Sequence, residues 1–307
     1  MDPKYLPYEN RQPNTQYKNR LSSILKCIKR QDIFTKNPFQ TQGRYSVKTL
    51  SPMVLKLSNG FPIGTERNMK MFWVTPIGEL LAFIHGVRDA RVLSEEWGVK
   101  WWLKQWATPE KCADFGLEHP DMGPGSYGGA FEYVAPDGTT YNQFKEVLKQ
   151  MRDRPDVTTH KITSWLPHYT IGHNGRQRKV IVAPCHGDIE MYIVNGRLTL
   201  RMDQRSADFP IGVPSNTIQY AALTIMIAHV LGLEPDMLIH STHDSHFYED
   251  QLENVRELVK CPTYRYPSVY LTEEGQKVTD LFDFRPSHFR LEDYHPGPAM
   301  NKIPVTT

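Results

Sequence analysis

The sequence predicts a single α+β domain, and three stretches carry that expectation. Ile189, Met191 and Ile193 alternate with polar or mixed residues, Asn195-Gly196 supplies a turn, and Leu198, Leu200 and Met202 alternate on the return. That is the pattern of a β-hairpin with a type I′ turn. Thr217–Leu233 (TIQYAALTIMIAHVLGL) is apolar nearly all round, as a helix buried in a large core requires, and Gly232 and Pro235 close it. Tyr45–Leu57 alternates apolar and polar residues and ends at Ser58-Asn59-Gly60, a strand running into a turn.

The remaining elements follow in order. Residues 1–35 are polar and dotted with proline, and read as a partly ordered leader with a short helix at Leu21–Arg30. Residues 36–307 then form the body of the domain. Pro76–Gly86 predicts a helix with Glu79 inside an otherwise apolar stretch, and Tyr141–Arg154 predicts an amphipathic one. The Gly- and Pro-rich stretch 119–138 reads as a loop. No internal repeat is visible, and no linker separates two domains.

Composition narrows the classes. With 307 residues, 39% apolar and 23% charged, the chain has the profile of a soluble globular protein. No apolar run approaches the roughly 20 residues of a membrane span, and the polar N-terminus shows no secretory signal. The formal net charge of +2 is too small to argue for nucleic acid, though not for a small anionic ligand. Four scattered cysteines without a CxxC pair favour reduced thiols in a cytoplasmic setting.

Three segments offer chemistry. In Ala183-Pro184-Cys185-His186, a cysteine beside cations becomes a nucleophile, whereas a lone cysteine is otherwise a small buried hydrophobe. His186 does not make a dyad with it, because neighbours on a strand face opposite ways. In Gln204-Arg205-Ser206-Ala207-Asp208 and Gly212-Val213-Pro214-Ser215-Asn216, Arg205 suits a phosphate. The Asn216 amide matches the O4 and N3–H edge of uracil, or else caps the following helix. In His240-Ser241-Thr242-His243-Asp244-Ser245-His246-Phe247-Tyr248, the three histidines invite a zinc reading. On a strand, however, His240 and His243 face apart, and no cysteine completes a shell, so no metal is expected. His246 and Tyr248 share a face and together reach a sugar hydroxyl.

Taken in order, APCH at 183–186, QRSAD at 204–208, GVPSN at 212–216 and DSHFY at 244–248 resemble the thymidylate synthase family in sequence and spacing. The likeness runs over about residues 36 to 307 and takes in LKLSNGFPI at 55–63, Glu79, Trp102, Tyr127 in GPGSYGG, and the ending Tyr294–Val305. The resemblance implies a large mixed β-sheet with helices packed on one face and a sheet-to-sheet homodimer. It implies a pyrimidine deoxynucleotide substrate and 5,10-methylenetetrahydrofolate as co-substrate, with no metal, nucleic acid or membrane partner. By the same likeness Cys185 adds to C6 of the base, Glu79 moves protons through ordered water, Tyr127 lines the catalytic side and Asn216 reads the base. Arg205 and Ser206 hold the phosphate, and His246 with Tyr248 the ribose. Trp102, Asp208, Glu79 and the tail at Val305 face the folate.

The departures from the family bear on substrate. The family has an arginine in a loop before its first strand. Here Lys36–Arg44 places Phe39 near that position, with Arg44 the candidate substitute. The family lends an arginine pair from the partner subunit; here Asp156–Trp165 offers Thr158 and Thr159, with His160 and Lys161 just beyond. Ammonium and imidazole do not reproduce guanidinium forks. Ser215 stands for a bulky aromatic and His243 for a glycine. A rebuilt phosphate side suits the family's hydroxymethylases, chiefly viral or biosynthetic. Asn rather than Asp at 216 favours uracil, and Ser206 a deoxyribose. The expectation is a deoxyuridylate 5-hydroxymethyltransferase, in the host cytoplasm if the source is a virus that modifies its DNA. The alternative is thymidylate synthase, which Trp102 and the tail favour by excluding water.

Overall fold

Asp188–Val194 and Arg197–Gln204 pair antiparallel, with Ile189 opposite Met202 and Met191 opposite Leu200. Asn195 and Gly196 take φ of 51° and 72°, the left-handed pair that a type I′ turn needs. The computed structural model describes residues 3–29, 34–36, 42–172, 175, 177–300 and 302–306. From the hairpin the chain crosses through the helix Gly212–Leu231 and returns as the long strand Glu234–Tyr248. That strand lies parallel to Arg197–Gln204, the arrangement a helical crossover produces.

The sheet order is Phe34–Lys36, Gly43–Thr49, Glu234–Tyr248, Arg197–Gln204, Asp188–Val194, Lys161–Ile162. Met53–Lys56 and Ala207–Asp208 pair with other parts of the long strand, the first antiparallel and the second parallel. The sheet is therefore large and mixed. One face buries Ile189, Met191, Leu198, Leu200, Met202 and Leu238, and the helix Gly212–Leu231 packs on it. Each such side chain stabilises the fold by roughly 1.5–3 kcal/mol. On the other face of the hairpin, Glu190 joins Lys161 at 3.1 Å and Arg201 at 3.8 Å. No helix among the described residues is long and apolar enough to cross a membrane.

Several boundaries differ from the sequence expectation, each for a local reason. Tyr45–Leu57 is two strands, Gly43–Thr49 and Met53–Lys56. Pro52 between them has no N–H for a ladder, and Arg20 binds the Ser51 and Pro52 carbonyls at 2.6 and 2.7 Å. The N-terminal helix runs Gln16–Lys26 rather than Leu21–Arg30, and buries Leu21 and Ile24. It packs against the helix Leu252–Lys260. The expected loop 119–138 contains the helix Tyr127–Phe131 and the strand Glu132–Val134. Its glycines serve close approach rather than looseness: a Cβ on Gly128 would lie 2.1 Å from the Val87 carbonyl oxygen.

The buried helix begins at Gly212, five residues earlier than its apolar run, because Pro214 sits in a first turn where no N–H is needed. Asn216 is therefore inside the helix and does not cap it. Gly232 closes the far end with φ of 69°. The helices expected at Pro76–Gly86 and Tyr141–Arg154 run Thr75–Ile84 and Gln143–Asp153. Phe39 lies outside the described residues.

Candidate active site

Cys185 sits in the turn just before the hairpin, partly exposed. Its N–H donates to the Tyr127 hydroxyl at 2.7 Å, and its carbonyl accepts from the Arg205 N–H at 2.8 Å. The Arg205 guanidinium is pinned by the carbonyls of Pro184 at 2.7 Å and Ala183 at 2.8 Å, and lies over the Trp165 ring at 5.2 Å. One of its nitrogens reaches Cys185 Sγ at 3.8 Å. A cation is thereby held beside the sulfur, the setting a sulfur nucleophile needs.

Tyr127 stacks between Phe83 at 4.9 Å and His186 at 4.4 Å, with Trp102 edge-on at 6.3 Å. Burial, with the neighbouring thiol, pushes its hydroxyl pKa well up, so it stays protonated. His186 turns its Nδ1 to the Tyr220 hydroxyl at 2.7 Å, and burial lowers its pKa to about 3. It is a neutral, buried ring tied to Tyr220, so it makes no dyad with Cys185, although the pair lies in a bend and not on a strand as the sequence argument supposes.

Glu79, on the helix Thr75–Ile84, is almost wholly buried, and burial raises its pKa. Its Oε1 accepts from the indoles of Trp101 at 2.7 Å and Trp102 at 2.5 Å. Its Oε2 accepts from Gln219 Nε2 at 2.7 Å. Gln219 in turn accepts from Asn216 Nδ2 at 2.9 Å, and Asn216 Oδ1 accepts from Gln204 Nε2 at 3.0 Å. Gln204 Oε1 faces His240 Nε2 at 2.8 Å. Burial lowers the His240 pKa to about 3, so this ring is neutral and donates from Nε2. A continuous buried chain thus runs His240–Gln204–Asn216–Gln219–Glu79.

The sugar, phosphate and folate candidates are placed as follows. His246 and Tyr248 meet edge-on at 5.1 Å, on one face as expected. His246 Nδ1 bonds the Asp244 carbonyl at 2.6 Å, while its buried Nε2 has no partner among the described residues. Burial holds its pKa near 4. Ser206 follows Arg205 in the same bend and gives its carbonyl to Gln204 Nε2 at 3.0 Å. Arg44 pairs with Asp244 at 2.6 Å. His160 is buried with neither ring nitrogen bonded among the described residues, and Lys161 beside it is exposed and paired with Glu190 at 3.1 Å. Arg178 lies over Phe115 at 4.3 Å.

Asp208 has a buried, unpartnered Oδ1, and burial raises its pKa to about 7. Gln251 bonds the Pro304 carbonyl at 2.9 Å, fastening the tail, in which Ile303 and Thr306 are buried and Val305 is half exposed. Among the described residues no group of three or more His, Cys, Asp or Glu side chains is arranged to hold a metal. His240 is fully buried and His243 exposed, as strand alternation requires.

Sequence reasoning gave no role to Gln219, Gln204 or Trp101, and read His240 only as a metal candidate. Gln219 carried a signal: it lies three residues after Asn216 on one helix and so shares its face.

A cysteine held beside a cation, with a buried carboxylate wired to a base-sized amide, equips a mixed-sheet protein for addition to an electron-poor ring and for proton movement next to it. The model of the family described as thymidylate synthase matches residues 15–306. The chain belongs to the thymidylate synthase family. That family comprises folate-dependent pyrimidine C5 transferases using methylenetetrahydrofolate.

Proposed function

We propose that the protein transfers a one-carbon unit from 5,10-methylenetetrahydrofolate to C5 of deoxyuridylate (dUMP), with water completing the reaction to give 5-hydroxymethyl-dUMP. The observation that carries this reading is Cys185, held beside the Arg205 cation with its N–H on the Tyr127 hydroxyl, while Tyr127 lies against the Trp102 ring that binds Glu79. Cys185 Sγ forms a bond to C6, which makes C5 nucleophilic. Asn216 reads the uracil edge, and Glu79 moves protons through ordered water. Arg205 and Ser206 hold the phosphate, helped by Arg44 and by His160 and Lys161 of a sheet-to-sheet homodimer. His246 Nε2, unpartnered in the protein, takes the ribose 3′-hydroxyl together with Tyr248.

The folate supplies the one-carbon unit when bound. The Oδ1 of Asp208, unpartnered among the described residues, fits a pterin N–H, and in this reading Trp102 and Val305 face the folate with it. Residues 36–307 form the catalytic domain, preceded by the leader 1–35.

The water outcome rests on the rebuilt phosphate side: Arg44 shares its guanidinium with Asp244, and imidazole and ammonium stand where guanidinium forks are expected. Thymidylate synthase is the second reading. The fastened tail favours it, because exclusion of water favours reduction of the C5 methylene.

The test of the shared chemistry is release of tritium from [5-³H]dUMP. It should require methylenetetrahydrofolate and fall by about four orders of magnitude or more in Cys185→Ala, as loss of a covalent nucleophile does. Tritium release that survives in Cys185→Ala would refute the assignment.

A further inference from the structure

Gln219 is the single side chain that joins the amide of Asn216 to the carboxylate of Glu79. The chain it belongs to has a direction, and that direction is anchored at both ends. At one end Gln204 Nε2 donates both to the Ser206 backbone carbonyl and to Asn216 Oδ1, each at 3.0 Å. A backbone carbonyl only accepts, so Gln204 cannot turn over without setting its own carbonyl against it. At the other end Gln219 Nε2 donates to Glu79 Oε2 at 2.7 Å, and an ionised carboxylate also only accepts. Between these anchors Asn216 has one favourable orientation, with Oδ1 toward Gln204 and Nδ2 toward Gln219.

That orientation bears on which base is read. Asn216 keeps a second N–H and a second lone pair for the base. Uracil offers an acceptor at O4 and a donor at N3–H, whereas cytosine offers a donor at N4 and an acceptor at N3. Reading cytosine therefore needs the Asn216 amide reversed. Reversal would set NH₂ against NH₂ at Gln204 and carbonyl against carbonyl at Gln219, in a site where all these groups are buried.

We infer that Gln219 is a specificity-determining positioning residue, which locks the Asn216 amide in the sense that accepts uracil and refuses cytosine. This rests on the reading of Asn216 as the base-reading residue. Trp101 and Trp102 hold the other carboxylate oxygen, so Glu79 cannot swing away to relax the lock.

The experiment is equilibrium binding of dUMP and of dCMP, without folate, to the wild-type protein, to Gln219→Met and to Glu79→Gln. Methionine keeps the length of the side chain but removes its amide. With both indoles donating to its carbonyl, glutamine at 79 presents its NH₂ to Gln219, which then turns over and no longer holds Asn216 in the uracil sense. In both variants the dUMP preference should fall roughly tenfold or more, largely through tighter dCMP binding, because one like-to-like contact is relieved. A merely structural role weakens both nucleotides together and leaves their ratio at the wild-type value; that result overturns the inference. Should Gln219→Met fail to fold, the ratio in Glu79→Gln decides alone. Wild-type protein that binds neither nucleotide brings down the pyrimidine-site reading and this inference with it. A uracil-selective wild type with unchanged variant ratios brings down this inference only.

Discussion

Around Asn216 the amides of Gln204, Asn216 and Gln219 each donate and accept within the protein. On the proposed sugar, phosphate and folate side, by contrast, His246 Nε2, both nitrogens of His160 and Asp208 Oδ1 are buried without partners among the described residues, while Arg44 is paired with Asp244. The two halves solve different problems. A closed network in a buried site is rigid before any ligand arrives, which is what selective reading of a base edge and aimed proton transfer require. Unsatisfied buried groups cost stability in the free protein and are the ones a ligand or a second subunit can reward. On the proposed function, the chemistry is preorganised in the chain itself, while the binding half waits for its occupants.

Substitutions sharpen the contrast, the largest effect first. Gln204→Leu removes the partner of His240 Nε2, of Asn216 Oδ1 and of the Ser206 carbonyl at once, all in the closed half. It should cost about 3 kcal/mol in urea unfolding at neutral pH. A loss below about 1 kcal/mol would mean that the network is not tight.

Asp208→Asn, in the open half, should instead stabilise the fold, and increasingly so as pH rises. The folded-state pKa of Asp208 is raised to about 7 from 3.8, so the acid's contribution is fully present below pH 3.8 and is lost as pH rises through 7. Asparagine carries no such loss. Its advantage should grow by about 2 to 3 kcal/mol between pH 5 and pH 8, read by denaturation at each pH. A pH-independent difference would contradict the burial argument.

His160→Leu should stabilise the free protein by about 1 kcal/mol, because a buried ring with no hydrogen bonds is replaced by an apolar group of similar size. The same change should weaken dUMP binding if His160 serves the phosphate. A destabilised variant would show that the ring has partners in the assembled protein.

The legibility of the molecule in its sequence follows the same division. The hairpin was readable because Asn195-Gly196 has one common use, and the buried helix because a stretch apolar on all sides has few other places to go. Cys185, Arg205 and Asn216 were readable as a constellation, since their types and order carry chemistry together. The amide chain was not. Glutamine is ordinary on any surface, and only the fold brings Gln204, Gln219 and Glu79 together from a strand and two helices. Trp101 was hidden because adjacent residues seldom share a target, yet at the start of the π-helical turn Trp102–Trp106 both Trp101 and Trp102 give their indoles to one Glu79 oxygen. Tyr127 and its glycines read as a loop because close packing and chain freedom use the same residue.

The fate of the C5 carbon separates the two readings, and the identity of the products decides between them. Wild-type protein incubated with dUMP and methylenetetrahydrofolate should yield 5-hydroxymethyl-dUMP and tetrahydrofolate, identified by mass and by folate absorbance. Formation of dTMP with dihydrofolate would contradict the hydroxymethyltransferase reading, and would assign the same preorganised half to reductive methylation.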